Sequence, residues 1–134
     1  AFIKRHKATA DRVLIDVPCS GSGTWRRNPD LKWRFNKKDL DEVCAVQQAI
    51  LQSAARLVKV GGRLIYATCS IFKDENEKQV EKFLDENKNF KVVSAKKIWD
   101  KDELADDKKL YFCVNPHEDG VDGFFAAIME RLPA

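Results

Sequence analysis

The run VLIDVPCSGSG, Val13 to Gly23, constrains the fold more than any other stretch of this chain. Its opening VLIDV, Val13–Val17, is short, β-branched and bounded by Pro18 and a Gly-rich loop, the pattern of a buried strand. A second such run, RLIYATCS, extends from Arg63 to about Cys69. Between them Leu40, Val43, Cys44, Gln47, Ile50, Leu51, Ala54, Leu57 and Val58 recur at helical spacing, one apolar stripe interrupted by Gln47. Asp39, with Glu42 three residues on, reads as the N-cap of that helix, and Gly61-Gly62 as its end. A second helix is expected from Asp74 and Glu77, with Val80, Phe83 and Leu84 turned inward. Phe90–Ser94 reads as a third strand and GFFAAIMERL as the last one. Phe2–Ala10 is the tail of a helix or a loop, Ser20–Lys38 is irregular, and Asp100–Lys109 is a charged loop.

Strand, helix, strand, helix, strand, strand is the order of an α/β protein with a largely parallel sheet. Ligands in such sheets bind beyond the carboxyl ends of the strands. Asp16–Cys19 and Thr68–Cys69 occupy two such ends, on strands joined by one helix, so two thiols and a carboxylate converge on one cleft.

A chain of 134 residues, 44% hydrophobic and 34% charged, is at most one globular domain and can bury a core without disulfides or metal. Its four cysteines are widely spaced and form no C-x-x-C pair, which disfavours zinc and, with no secretion signal, favours free thiols. No run reaches membrane-spanning length, so the expected home is the cytoplasm. Net charge is +3, but Ala1–Lys38 holds ten Lys/Arg against three Asp, or +7, and the remainder sums to −4. That asymmetry suits a polyanionic partner, although a plain solvated surface explains it equally.

A thiolate is a strong nucleophile, and a second thiol beside it can assist or resolve an adduct. The pair at Cys19 and Cys69 thus points to covalent catalysis at carbon, or to a redox dithiol, with two small core residues as the plain alternative. Cys44 on the helix stripe and Cys113 in YFCVNP read as small core residues. A phosphatase loop is disfavoured because six residues separate Cys19 from Arg26 where that loop requires five. The GSG run lacks the further glycine of a dinucleotide fingerprint and is followed by no P-loop lysine. His6 and His117 read as solvated or locally bonded.

DVPCSGSG, then RRNPDLKWRF, then GGRLIYATCSIFKDENEKQV, then DGFFAAIMER closely resemble the Fmu/Sun (RsmB-type) family of RNA cytosine-5 methyltransferases. The likeness runs from Asp11 to Arg131. It implies a partial Rossmann-like methyltransferase fold, with helices on both faces of the sheet and an antiparallel last strand. It implies S-adenosylmethionine as methyl donor and RNA, most of all 16S ribosomal RNA, as partner, with no metal and no membrane. Cys69 matches the family's nucleophile toward cytosine carbon 6, and Cys19 the second cysteine that assists release. Asp16 matches the carboxylate facing both donor and cytosine, and Pro18 would stiffen the loop that presents Cys19. Asp122–Phe125 matches a block expected to pack structurally.

Trp25, Trp33 and Phe35 lie among Arg26, Arg27, Lys32 and Arg34, a mixture suited to RNA backbone and bases. Trp33 and Phe35 as anchors to the core is the competing reading. The family's Gly-rich donor loop and its ribose-binding acid would precede this segment. Residues 1–134 therefore read as the C-terminal half of a catalytic domain, without the cofactor-loop half or the N-terminal RNA-binding domain. Such a fragment is expected to be inactive alone and to self-associate through its first strand. A non-catalytic RNA-binding relative is the alternative.

Overall fold

The structure, a computed structural model, describes residues 2–25, 27, 29–95, 110–114, 116 and 121–133. A short helix α1 (Phe2–Arg5) leads into β1 (Ala10–Asp16), followed by a 3-10 turn at Ser22–Thr24 and helix α2 (Pro29–Arg34). Helix α3 (Lys37–Ala55), strand β2 (Val58–Thr68), helix α4 (Glu77–Glu86) and strands β3 (Phe90–Val93), β4 (Phe112–Val114) and β5 (Phe124–Arg131) complete the order.

The sheet runs β1-β2-β5-β3, with β4 also on β5. β1 and β2 are parallel, with Val13 opposite Leu64 and Asp16 opposite Ala67. β5 is antiparallel to β2, β3 and β4, so four described strands point one way and the last strand points the other. β3 pairs with Ile128–Arg131 and β4 with Phe124–Ala126, so the two follow one another along the same edge of β5. β4 and α2 were not expected from the sequence.

Strand alternation sends Leu64 and Tyr66 of β2, and Phe125, Ala127 and Met129 of β5, to one face, where all are fully buried. Leu51, Ala54 and Ala55 of α3 and Val80 and Phe83 of α4 cover them in a single core. Leu84 packs at its rim. Both long helices therefore lie on the same face. The other face carries Leu14, opposite Ile65, itself opposite Ile128, and Leu14 is 69% exposed.

Two boundaries differ from the sequence reading. The N-cap of α3 is Asn36, one turn before Asp39. Asn36 Oδ1 accepts from the Asp39 amide at 3.0 Å, and the Asn36 amide donates to Asp39 Oδ2 at 3.1 Å. Asp39 thus closes the capping box instead of opening the helix. Gly61-Gly62 does not end α3, which stops at Ala55 with Arg56 as its C-cap. The pair lies inside β2, where Gly61 takes φ +80°. There β2 carries extra residues and its register against β1 jumps from Ala10–Val58 to Arg12–Arg63. A Cβ on Gly62 would sit 2.9 Å from the Ala10 carbonyl. The left-handed glycine serves a strand irregularity, not a helix stop. α4 begins at Glu77, after turns through Phe72–Asn76, and Asp74 pairs with Lys78 at 2.8 Å. Residues 100–109, read as a charged loop, lie outside the described residues.

Candidate active site

Two neighbouring parallel strands end at the same level and each releases a cysteine. β1 ends at Asp16, and the Val17 amide extends the pairing by donating to the Ala67 carbonyl at 3.1 Å. Pro18 turns the chain away, which places Cys19 over the end of β2. Cys69 follows Thr68, the last residue of β2. The two sulfurs, Cys19 Sγ and Cys69 Sγ, lie 3.1 Å apart, and both side chains are half-buried.

Burial disfavours a charge on Cys19, and the hydrogen bond with Cys69 adds to the effect, so its thiol is pushed up to about 12. Cys19 therefore keeps its proton at neutral pH, and either sulfur can donate in the contact between them.

The loops are stitched together beyond the sulfurs. The Gly23 amide donates to the Cys69 carbonyl at 2.9 Å, and the Ile71 amide to Ser22 Oγ at 2.8 Å. Thr68 Oγ1 donates to Asn76 Oδ1 at 2.6 Å, and Asn76 Nδ2 to the Ser70 carbonyl at 2.8 Å. Gln47, fully buried, donates to the Pro18 carbonyl at 2.9 Å. Behind these, Glu75 is fully buried and accepts from the Ser20 amide at 2.6 Å, from Ser20 Oγ at 2.7 Å and from Ser70 Oγ.

This geometry coincides with similarity to known proteins. The family model for the 16S rRNA methyltransferases RsmB/F matches residues 3–130. The chain belongs to that family. In the RsmB/F group it is 38% identical to a probable ribosomal RNA small subunit methyltransferase B of Synechocystis sp., over 90% of this chain and 27% of that protein. It is 41% identical to the ribosomal RNA small subunit methyltransferase B of Pectobacterium carotovorum, over 87% of this chain and 25% of that protein. The crystal structure of PH0851 superposes with a TM-score of 0.81 at 44% identity, over 93% of this chain and 27% of that one. NSun6 from Pyrococcus horikoshii, solved with SFG, shares the fold at a TM-score of 0.71 and 23% identity, over 90% of this chain and 30% of that one. The chain thus spans about a quarter of the length of the curated relatives it matches.

Among the residues singled out from this RsmB/F-type sequence, the structure brings Cys19, Cys69, Pro18 and Asp16 to one sheet end. Asp16 is exposed, and among the described residues no hydrogen bond or ion pair occupies it. Arg27 is engaged with the protein itself: its guanidinium meets Asp122 at 2.6 Å. Arg26 and His117 lie outside the described residues. Trp33 is 82% exposed and does not anchor its segment to the core. Phe35 and Trp25 do pack inward, on Phe72, with ring centroids 6.4 and 5.4 Å away. Lys32 and Lys37 border the hollow between them. Cys113, read as a core residue, is exposed on β4. Cys44 is half-buried, donates to the Asp74 carbonyl at 3.5 Å, and is pushed up to about 11 by burial. Glu75 was missed. The acidic run DENEK reads as the solvated start of a helix, and only the fold shows which of its carboxylates turns inward.

Proposed function

We propose that this chain is the C-terminal part of the catalytic domain of an S-adenosylmethionine-dependent RNA methyltransferase acting on carbon 5 of cytosine. Its substrate is small-subunit ribosomal RNA in the cytoplasm, in line with the names of its relatives. The observation that carries this reading is the 3.1 Å approach of Cys19 and Cys69 at the carboxyl ends of two parallel strands.

The chemistry follows from what cytosine lacks. Its carbon 5 is a poor nucleophile until something adds at carbon 6. Cys69 Sγ, as thiolate, forms a bond to carbon 6, and the ring electrons that this displaces make carbon 5 electron-rich. A soft sulfur suits the step because the same bond must later break. When bound, S-adenosylmethionine supplies the methyl group in electrophilic form. Asp16, an exposed carboxylate three residues before Cys19, is assigned contact with the donor and with the amino edge of cytosine. Once carbon 5 is methylated, water takes its remaining proton, the C–H electron pair re-forms the carbon 5–carbon 6 double bond, and the carbon–sulfur bond breaks with its electron pair returning to Cys69. Cys19, held protonated, donates its S–H to that departing thiolate and so lowers the cost of release.

The test is trapping on RNA containing 5-fluorocytosine, whose fluorine cannot leave as the proton does. The full-length protein is expected to form a covalent RNA complex that disappears in Cys69→Ala. Cys19→Ala is expected to accumulate the complex on ordinary RNA. No complex with either RNA would reduce the chain to an RNA-binding relative.

A further inference from the structure

Glu75 is a carboxylate with no exposed surface, and the chemistry proposed above does not use it. Taking a carboxylate out of water is unfavourable by several kcal/mol, and an apolar residue of similar volume would often stabilise the fold better. The partners of Glu75 show what the charge is used for. Oε1 accepts from the Ser20 amide at 2.6 Å and from Gln47 Nε2 at 3.2 Å. Oε2 accepts from Ser20 Oγ at 2.7 Å and from Ser70 Oγ. Ser20 is the residue after Cys19, and Ser70 is the residue after Cys69. One buried carboxylate therefore grips both cysteine loops, each at the position next to its sulfur.

The sheet alone does not fix the distance between the sulfurs. Cys69 follows directly on β2, whose last residue Thr68 is paired with Phe125. Cys19 lies three residues beyond the end of β1, on a loop. Cys69 is thus held by strand pairing, and Cys19 needs another tether.

We propose that Glu75 is a positioning residue that holds Cys19 against Cys69 for the release step, by hydrogen bonding the residue that follows each cysteine. The inference rests on the methyltransferase reading for the step it names, but the geometry it asserts is measurable without catalysis. Loss of the tether displaces Cys19 more than Cys69. Attack on the base survives and release suffers.

The experiment uses the full-length protein and its Glu75→Gln variant. Cys19 and Cys69 are bridged with dibromobimane, and the linked peptides are quantified by mass spectrometry after digestion. Bridging is expected to slow at least about tenfold in E75Q, the scale set by losing one hydrogen bond to a charged acceptor. On ordinary RNA, E75Q is expected to hold a persistent Cys69 adduct, as Cys19→Ala does, and the double variant to be no worse than Cys19→Ala. A residue that merely supports the fold would lower adduct formation and release together. Should E75Q fail to fold, Ser20→Ala, which removes one contact to Oε2, is read the same way and is expected to slow bridging. Bridging within about twofold of wild type, below the loss of even one neutral hydrogen bond, overturns the assignment whether or not the protein methylates RNA. Absence of any Cys69-dependent trapping on 5-fluorocytosine RNA overturns the methyltransferase reading and leaves the bridging result standing.

Discussion

Gly23 and Gly123 meet backbone to backbone: the Gly123 amide donates to the Gly23 carbonyl at 2.8 Å. Gly23 in turn donates to the Cys69 carbonyl, so the loop after Cys19, the loop after β2 and the start of β5 are bound at one point. A Cβ on Gly23 would fall 2.5 Å from the Cys69 carbonyl and 2.6 Å from that of Gly123. Both obstacles are main chain and cannot rotate aside. Gly23→Ala is therefore expected to lose about 1–3 kcal/mol in urea denaturation, the range for overpacking a close contact, and to slow methylation. Gly61→Ala is the contrast. Gly61 has φ +80° and open space around it, so the cost is backbone strain alone, about 1–2 kcal/mol, with the cysteine pair undisturbed. Equal losses of activity in the two variants would contradict this.

The residues that place the site were legible to different degrees. β1, β2 and β5 are apolar runs with clear punctuation, and the register Asp16–Ala67 follows once they are parallel neighbours. Cys19 and Cys69 could be brought together because strand ends are where parallel sheets converge. β4 spans Phe112–Val114 on an edge, too short for alternation to register. Asn36 and Asp39 are both good caps, and nothing local decides which one opens the helix. Gly61 has the signature of a helix stop, yet its left-handed backbone is used inside β2. Arg27 reads as an RNA contact from its charge, and its ion pair with Asp122, far away along the chain, is not visible in the sequence. Gln47 was visible as a break in an apolar stripe, although its four hydrogen-bonding partners were not.

Those partners make Gln47 a sensitive position. Its Nε2 donates to the Pro18 carbonyl at 2.9 Å and to Glu75, and its Oε1 accepts from Gln79 at 3.0 Å and Tyr66 at 3.3 Å. Gln47→Leu fills the space but leaves these buried groups without it. Unsatisfied buried polar groups cost about 1–3 kcal/mol each. A fall in thermal stability is expected, together with slower dibromobimane bridging of Cys19 and Cys69, since Pro18 precedes Cys19. A more stable Q47L protein would mean that the polar network is dispensable.

The raised pKa of Cys19 has a consequence for stability against pH. A thiol near 9 in the unfolded chain and near 12 in the folded one binds its proton more tightly when folded. Between those values the folded state carries more protons, so stability falls as pH rises. The contribution is fully present below pH 9 and is lost on approach to pH 12. Cys44, pushed up to about 11, acts in the same direction over a narrower window. Urea midpoints measured from pH 8 to pH 11 are expected to decline, and the decline to be shallower in Cys19→Ser and Cys44→Ala. A slope unchanged in both variants would assign the alkaline loss to other groups.

β1 ends the sheet order, and among the described residues nothing pairs with its outer edge. Its backbone amides and carbonyls on that side form a template for another strand. Leu14 adds apolar surface on the sheet face that α3 and α4 do not cover, at 69% exposure. No lysine or proline interrupts Val13–Val17 to blunt the edge. The isolated 134-residue chain is therefore expected to self-associate with rising concentration and, with Asp16 as its proposed donor contact, to bind S-adenosylmethionine only weakly. Light scattering across a concentration series reads the first and isothermal titration the second. Leu14→Lys places a charge on that surface and is expected to restore the monomer. A monodisperse species at high concentration would mean that the edge is already covered in solution, and micromolar donor binding would mean that this segment holds more of the donor site than Asp16.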